Sequence, residues 1–308
     1  MDPQPNPKFQ KPHPQTKYRV LLPIRAFFST MIFFLKVFPM LPSRPIDWVT
    51  KKPIIEKVRY PTCDGFAEGE IYRPPDPGPH PGIIVCLGVV PFTVDHPQVP
   101  VLGRALARAG FAALLYWSPL MRDFRLDPID VENIALAYQW FIAQPIIDPA
   151  RSGLLGTCVG GSFAIMASAS PLIRDRIGFV TAYAPFSSMR TFAPDIASAT
   201  RTMGDQHEPW KVDQLTRHVF IESLAASLEG PEVEVFRSTF KEGLGILDRS
   251  SLSEDGQKLY ALLTAGSFSE AAAALEHLPA PYLERLIAMS PLEYVDKIKA
   301  PLIVLLHD

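Results

Sequence analysis

The sequence predicts an α/β fold in which a mostly parallel sheet is flanked by helices and interrupted once by a helical insertion. Short apolar runs alternate with amphipathic segments from residue 54 to 189, and this alternation resumes at residue 290. Between the two parts, residues 190–289 show helical periodicity in several pieces and no strand run. We therefore divide the folded chain into a core of residues 46–189 and 290–308 and a cap of residues 190–289, which we expect to cover the carboxyl ends of the strands.

The composition is that of an ordinary globular protein without a strong electrostatic field. Of the 308 residues, 47% are hydrophobic and 20% are charged, and the net charge is -2, so no basic surface indicates a nucleic acid partner. Three cysteines without a CxxC pair or a histidine at metal-ligand spacing favour a reducing compartment. We expect a cytoplasmic protein without a metal or cofactor, in which Cys63 and Cys86 are small packing residues.

The amino-terminal part combines a polar tail with a hydrophobic segment. Residues 1–18 are rich in proline, and we expect them to be disordered. In residues 19–45 the longest uncharged run, Ala26 to Leu35, has only ten residues, whereas a membrane-spanning helix needs about 20. A simple transmembrane helix is therefore not predicted.

A helix over residues 20–42 would nevertheless be strongly amphipathic. Arg25, Ser29 and Lys36 would share one narrow stripe, and phenylalanines would cover the remaining surface. This pattern is typical of a helix that lies in a membrane interface. The alternative is a helix that packs on the protein's own core or on a partner subunit.

Each predicted core element has its own local signature. IIEKVRYP and EGEIYRP favour two antiparallel strands, and IIVCL favours a short buried parallel strand. A helix that ends at Gly110 precedes the strand FAALLYW, and apolar residues spaced i, i+3, i+4 and i+7 predict a helix over residues 128–144. SGLLG and IGFVTAY are predicted strands on either side of the buried helix SFAIMASAS, and MSPLEYVDKIKAPLIVLL predicts a short helix that leads into a buried strand.

The segment RSGLLGTCVGGSFAIMAS carries the strongest functional signal. An apolar strand, a sharp turn and a helix follow one another, and this arrangement presents a nucleophile, here Cys158, at the tip of the turn. Side chains two residues before and after it would collide in such a turn, which explains Gly156 and Gly160. Gly161 lets the helix pack closely on its neighbours.

The same turn predicts how Cys158 would be activated. It places the thiol at a helix amino terminus, where the helix dipole and free N–H groups favour the thiolate, so we expect a thiol pKa below the ordinary value and alkylation ahead of Cys63 and Cys86. The backbone N–H of Val159 is also placed to point at a developing oxyanion.

With this turn the chain resembles the α/β-hydrolase superfamily, and GTCVGG is most similar to the G-x-C-x-G-G motif of the dienelactone hydrolase branch. The resemblance covers residues 54–189 and 289–308, and it puts the insertion where these enzymes carry a cap or lid. It implies hydrolysis of a small-molecule ester, lactone or thioester by Cys158. It also implies that a loop after the third strand supplies a second oxyanion N–H, for which Val89 is the best candidate and Val90 the next.

The sequence departs from the dienelactone enzymes in that loop. Those enzymes hold a glutamate close to the cysteine, whereas this chain has Gly88, Val89 and Val90. The departure leaves the wider esterase and lactonase class open. Asp95 and His96 follow a little further on, either as surface residues of the loop or as part of the pocket.

The acid and the histidine of the catalytic triad are not found at the matching positions. APLIVLLHD resembles the strand before the acid, which would fall about three positions beyond Asp308, with the histidine later still. By this resemblance His307 is structural and Asp308 comes too early to be the acid. The chain is thus predicted to be the front part of a longer hydrolase, with the last strand and helix absent.

The remaining histidines offer one alternative source of a base. We expect His207, His218 and His277 of the cap to be solvated helix residues, with the alternative that one of them reaches Cys158. Two other functions stay open at this point. One is a noncatalytic binding or interaction protein on a hydrolase scaffold, which a genuine stop after codon 308 would support, and the other is acyl transfer to an acceptor other than water.

The amphipathic pattern of residues 20–42 makes a prediction about the membrane. If these residues lie in the interface, deletion of residues 1–45 moves the protein from the membrane fraction to the soluble fraction, because the apolar surface that partitions into lipid is lost. The measurement is fractionation of the full and shortened chains. Unchanged partitioning would indicate that the segment packs on protein instead.

Overall fold

The computed structural model of the chain describes residues 27–33, 35, 50–89, 96–228, 230–240 and 246–306. Residues 1–26, which include the predicted disordered tail of residues 1–18, lie outside this part, and so does most of the 34–49 segment. Of the helix predicted over residues 20–42, residues 27–33 are described and are helical.

A central sheet organises the described part of the chain. Seven strands form it in the order β1-β2-β4-β3-β5-β6-β9; β1 with β2 and β2 with β4 are antiparallel, and all later neighbours are parallel. The strands are β1 (Ile54–Thr62), β2 (Gly65–Arg73), β3 (His80–Cys86), β4 (Ala112–Tyr116), β5 (Ile147–Thr157), β6 (Phe179–Tyr183), β7 (Thr200–Met203), β8 (Gln206–Pro209) and β9 (Leu302–Leu305).

Helices connect the parallel strands and fill the insertion. The core helices are α1 (Gln98–Arg108), α2 (Pro119–Arg122), α3 (Ile129–Ile142) and α4 (Val159–Ser168), and the cap contains α5 (Met189–Ser198), α6 (Gln214–Ala225), α7 (Glu232–Phe240), α8 (Glu254–Leu263), α9 (Phe268–Glu276) and α10 (Ala280–Ala288). Two short 3₁₀ helices, Arg249–Ser251 and Pro291–Lys297, complete the pattern. The predicted α/β class and its mostly parallel sheet are confirmed.

The two faces of the sheet bury different sets of side chains. Because successive side chains of a strand point to opposite faces, Ile84 of β3 packs in the larger cluster with α3, α4 and the cap, whereas Ile83 and Val85 pack in a smaller cluster with α1. Phe33 of the amino-terminal helical segment packs against that smaller cluster. β5 lies inside the sheet between β3 and β6, so the turn that follows it opens at the carboxyl edge with a parallel strand on either side.

The amino-terminal segment has one face on the protein and one in solvent. Phe33 contacts the core, which favours the alternative of packing on the protein itself, but Phe27 and Phe28 are 63% and 61% exposed. In the described part of the chain, no helix has both the length and the apolar character that a membrane span needs. Membrane contact through this segment stays a prediction.

Two expectations about secondary structure are wrong. The strand predicted to be buried near the carboxyl end is β9, whose residues are all exposed because it forms the edge of the sheet in the described chain. The cap, predicted without strands, contains the β7–β8 hairpin, which turns at Gly204 with a φ of 62°. Its four-residue strands are polar and mostly exposed, so they carry none of the apolar alternation that predicts a strand.

A buried carboxylate takes part in the hydrogen bonds that link the β1–β2 hairpin to α2 and α3. Asp130, at the start of α3, is fully buried and accepts hydrogen bonds from Ser118 Oγ at 2.5 Å and from Asn133 Nδ2 at 3.2 Å. Asn133 Oδ1 in turn accepts from the backbone N–H of Cys63, at 2.8 Å, just after β1. Burial raises the pKa of Asp130 above its ordinary value. Through the side chains of Asp130 and Asn133, these bonds connect the end of β1 and the start of α2 to α3.

Replacement of Asp130 by alanine should therefore lower the free energy of unfolding by about 2–3 kcal/mol, because buried partners lose their acceptor. Urea denaturation measures the change, and Asp255→Ala, at an exposed position in the first turn of α8, is the control, with an expected change of about 0.5 kcal/mol or less. Equal losses in the two variants would contradict a structural role for the buried carboxylate.

Candidate active site

The turn between β5 and α4 holds Cys158 in a strained backbone conformation. Its φ of 50° and ψ of −128° lie outside the regions that residues with a side chain ordinarily occupy. The N–H of Cys158 donates to the carbonyl of Tyr183 in β6 at 2.7 Å, and its carbonyl accepts from the N–H of Gly161 at 2.9 Å. These hydrogen bonds to β6 and within the first turn of α4 therefore stabilise the strained backbone conformation, and the thiol lies at the tip of the turn.

Glycines around this turn allow backbone to touch backbone. A Cβ on Gly156 would lie 2.4 Å from the carbonyl oxygen of Gly160, and a Cβ on Gly160 would lie 2.2 Å from the carbonyl oxygen of Cys86. Both distances are shorter than any real Cβ contact, so neither position accommodates a larger residue without a backbone shift. Gly161 is less restricted, because its nearest contact would be 3.2 Å, to the carbonyl oxygen of Gly156.

The loop after β3 is held against the same turn. Gly88 has a φ of 74°, and a Cβ there would lie 2.6 Å from the backbone nitrogen of Gly160. Thr157 Oγ1 donates to the carbonyl of Leu87 at 3.1 Å and so fastens the loop to the end of β5. Val89 comes next and lines one cavity together with Cys158 and Val159. Val90 and Asp95 lie outside the described residues, and His96 is not among the residues that line the cavity.

The cavity above Cys158 has a volume of about 350 Å³, which is within the range of small-molecule sites. Its floor is the turn and the segment that follows β6, and its remaining walls come from α5, α6 and α10 of the cap. Most of the wall is apolar, with Phe186, Phe192, Ile196, Leu215, Phe220 and Leu286 as the main contributors. Helices of residues 190–289 thus line the same cavity as Cys158, and their role as a cap or lid stays a prediction.

A few polar groups break this apolar lining. Asp195 of α5 is buried and accepts hydrogen bonds from Thr202 Oγ1 at 2.8 Å and from the Thr202 N–H at 3.1 Å. Arg285 of α10 donates to Ser227 Oγ at 2.7 Å and to Asp127 Oδ2 at 3.1 Å. Both side chains line the cavity with Cys158.

The thiol pKa of Cys158 is raised, not lowered, so the expectation from the helix amino terminus is wrong. The side chain is exposed to the cavity, but the surrounding walls remove it from bulk water, and this desolvation is the largest cause. The N–H of Val159 stabilises the thiolate and acts in the opposite direction, while the negative charge of Asp213 raises the pKa further. Desolvation outweighs the single favourable N–H.

None of the histidines in the described ranges lines the cavity, although His207 Nδ1 lies 3.0 Å from the hydroxyl of Thr202, which does. His207 lies on β8 instead of a helix, with its ring stacked on Phe268 at 3.8 Å. His218 of α6 packs its ring against Phe124 at 4.9 Å. His277 follows α9, and its Nδ1 is 2.6 Å from the carbonyl of Ala273. His307 and Asp308 lie outside the described residues.

Sequence reasoning did not single out Asp195, Asp213 or Arg285. Asp213 had a usable signal, because an aspartate three residues before a threonine at the start of an apolar helical pattern is typical of a helix amino-terminal cap. Its carboxylate indeed accepts from the N–H of Thr216 at 2.9 Å. Asp195 and Arg285 carry no such signal, since only the packing of α5 and α10 brings them to the cavity.

A mostly parallel sheet with flanking helices and a strained turn between an inner parallel strand and a helix is the architecture of the α/β-hydrolase fold, and this is the fold of the described chain. No family model matches the sequence.

Curated relatives match a limited part of the chain. Acyl-coenzyme A thioesterase 1 of Homo sapiens is 29% identical over 113 residues, which cover 36% of this chain and 26% of the relative. Bile acid-CoA:amino acid N-acyltransferase of Mus musculus is 25% identical over 130 residues, which cover 40% of this chain and 29% of the relative. The matched segments thus span little more than a quarter of these relatives.

Two solved structures superpose on the chain with low sequence identity. The 2,6-dihydroxy-pseudo-oxynicotine hydrolase superposes with a TM-score of 0.45 at 14% identity, covering 94% of this chain and 68% of that protein. The hyperthermophilic esterase of the archaeon Pyrobaculum calidifontis gives a TM-score of 0.42 at 16% identity, covering 82% and 80%.

The charge near the thiol makes a prediction about reactivity. Because the carboxylate of Asp213 raises the thiol pKa of Cys158, Asp213→Asn should move the pH midpoint of Cys158 alkylation to lower pH, while asparagine still caps α6. Iodoacetamide labelling followed by peptide mass spectrometry measures the midpoint. Asp248→Asn, which changes another exposed capping aspartate, is the control and should leave the midpoint unchanged. A pH midpoint of alkylation that rises or stays unchanged in Asp213→Asn would contradict the assignment of the raised thiol pKa to the charge of Asp213.

Proposed function

We propose that the protein is an acyl hydrolase that opens a thioester or ester bond through Cys158. The observation that carries this proposal is the position of the thiol, at the tip of a strained turn and facing a mostly apolar cavity lined also by Val89 and Val159. The acyl-coenzyme A thioesterase relatives support a thioester as the bond that is broken. The cap walls suit an apolar acyl group.

The first half of the reaction uses groups that the described chain contains. The thiol loses its proton to solvent, and the thiolate Sγ of Cys158 forms a bond to the carbonyl carbon of the substrate. The carbonyl electron pair moves to oxygen, where the N–H groups of Val159 and Val89 are the proposed donors. Collapse of this intermediate breaks the bond to the leaving thiolate, which takes up a proton from solvent and leaves the acyl group on Cys158.

The second half requires water to attack the acyl-cysteine and therefore benefits from a general base. No described histidine lines the cavity, so the described residues give no reason for this step to be fast. Loss of a triad member leaves about 10³- to 10⁴-fold catalysis over water from the oxyanion donors and binding. We therefore expect acylation of this 308-residue chain to outpace hydrolysis of the acyl-enzyme.

A second candidate is acyl transfer to an acceptor other than water, through the same acyl-cysteine. The similarity to the bile acid-CoA:amino acid N-acyltransferase favours it.

The resemblance of GTCVGG to the dienelactone hydrolase motif supports a cysteine nucleophile, but the loop residues Gly88 and Val89 stand where those enzymes carry a glutamate. We therefore keep a lactone substrate as a variant of the ester proposal.

The proposal is tested by looking for the covalent intermediate. Incubation with a medium-chain acyl-CoA should give one acyl group per chain by intact mass, placed on Cys158 by peptide mapping, with release of one equivalent of free coenzyme A thiol. Cys158→Ala should give neither, because the nucleophile is gone. Cys63→Ala, at an exposed thiol outside the cavity, is the matched control and should behave as the unmodified protein. Acylation that persists in Cys158→Ala would contradict the proposal.

A further inference from the structure

Asp195 is a buried carboxylate in the wall of the cavity, and the acyl chemistry proposed above makes no use of it. Only 7% of the residue is exposed, and it lies on the cavity surface together with Thr202 of β7. Its carboxylate accepts hydrogen bonds from Thr200 Oγ1, from Thr202 Oγ1 and from the Thr202 N–H, at 3.3, 2.8 and 3.1 Å. The hairpin therefore holds the carboxylate in one orientation.

Asp195 makes no direct ion pair with a cation of the described chain, although Thr202 Oγ1, which donates to it, also lies 3.0 Å from His207 Nδ1. None of the ion pairs between described residues includes it, whereas the other charged group in the wall, Arg285, already pairs with Asp127. A buried charge without an opposite charge is costly in a medium of low dielectric. The uncompensated charge of the cavity wall is thus negative, and the negative field of Asp213 at the thiol has the same sign.

We infer that the cavity binds a ligand that carries an ammonium group and that Asp195 is the residue that selects it. An ammonium group placed beside this carboxylate gains a charge-assisted hydrogen bond in a largely apolar surrounding, which a neutral group of the same size does not.

The chemistry also indicates which part of a substrate would carry the ammonium group. An amine held by a carboxylate as an ammonium ion has no lone pair with which to attack an acyl group. If the acyl hydrolase proposal holds, the ammonium group therefore belongs to the substrate that acylates Cys158, in its acyl or its leaving portion, and not to an attacking acceptor. The binding preference itself rests on the cavity alone and does not depend on that proposal.

The test measures protection of Cys158 from iodoacetamide by pairs of n-alkylammonium ions and n-alkanols of equal chain length. At neutral pH, the best ammonium ion should protect at a concentration about tenfold or more below that of its alcohol, as expected for a hydrogen bond to a charged group. Asp195→Asn keeps the size of the side chain and a hydrogen-bonding partner for Thr202, and it should remove the preference. Asp248→Asn, an exposed aspartate outside the cavity, should retain it.

Because the preference is a ratio taken within one protein, partial loss of folded protein in a variant does not change it. Equal protection by ions and alcohols in the unmodified protein, or protection by neither, would overturn the inference without any variant. A preference that survives Asp195→Asn but disappears in Asp213→Asn would place the cation beside the thiol and also overturn it.

A second arm separates this inference from the proposed function. Cys158 acylation by thioesters that end in an ammonium group or a methyl group should favour the ammonium form, and Asp195→Asn should lower that ratio about tenfold or more. If neither thioester acylates Cys158 but the protection pattern holds, acyl chemistry fails and the binding preference stands. If both thioesters acylate Cys158 at equal rates and no ammonium ion protects better than its alcohol, the acyl chemistry stands and the proposed role of Asp195 fails.

Discussion

The site depends on one close contact between backbones, in which the amino end of α4 touches the end of β3. Gly160 meets the carbonyl of Cys86 and the nitrogen of Gly88 at distances that exclude any side chain. This contact places the loop after β3 beside the turn after β5, so that Val89 and Val159 share a cavity with Cys158. A methyl group at residue 160 would push the two loops apart and separate the proposed oxyanion donors from the thiol.

The reactivity of Cys158 follows from competition between two local effects. A helix amino terminus stabilises a thiolate, and the N–H of Val159 does so here. The cap, however, encloses the thiol within apolar walls, and the cost of desolvating a thiolate is larger than the gain from one N–H. Acylation should therefore become faster as the pH rises toward and through the raised thiol pKa. The walls that form the cavity therefore lower the fraction of the Cys158 thiol that is ionised at neutral pH.

The cap has a further consequence, because it brings charges to the cavity that the core does not contain. Asp195, Asp213 and Arg285 all belong to residues 190–289; Asp195 of α5 and Arg285 of α10 line the cavity, whereas Asp213, at the start of α6, acts on the thiol through its charge. Arg285 pairs with Asp127, whereas the direct hydrogen-bond donors to Asp195 are threonines. The selectivity of the site is therefore a property of the insertion, while the proposed nucleophile and oxyanion donors are properties of the sheet.

The sequence by itself determined the strands and helices of the core and the nucleophile turn, because these depend on local periodicity and on glycines at set distances from Cys158. It could not determine the burial of β9, since the exposure of a strand depends on which strands lie beside it. It also predicted the thiol pKa in the wrong direction, because the local helix effect is readable from the sequence and the enclosure by distant helices is not. The place of Asp195 in the cavity was likewise decided by tertiary packing, since residues 195 and 158 lie on separate elements that only the folded chain brings together.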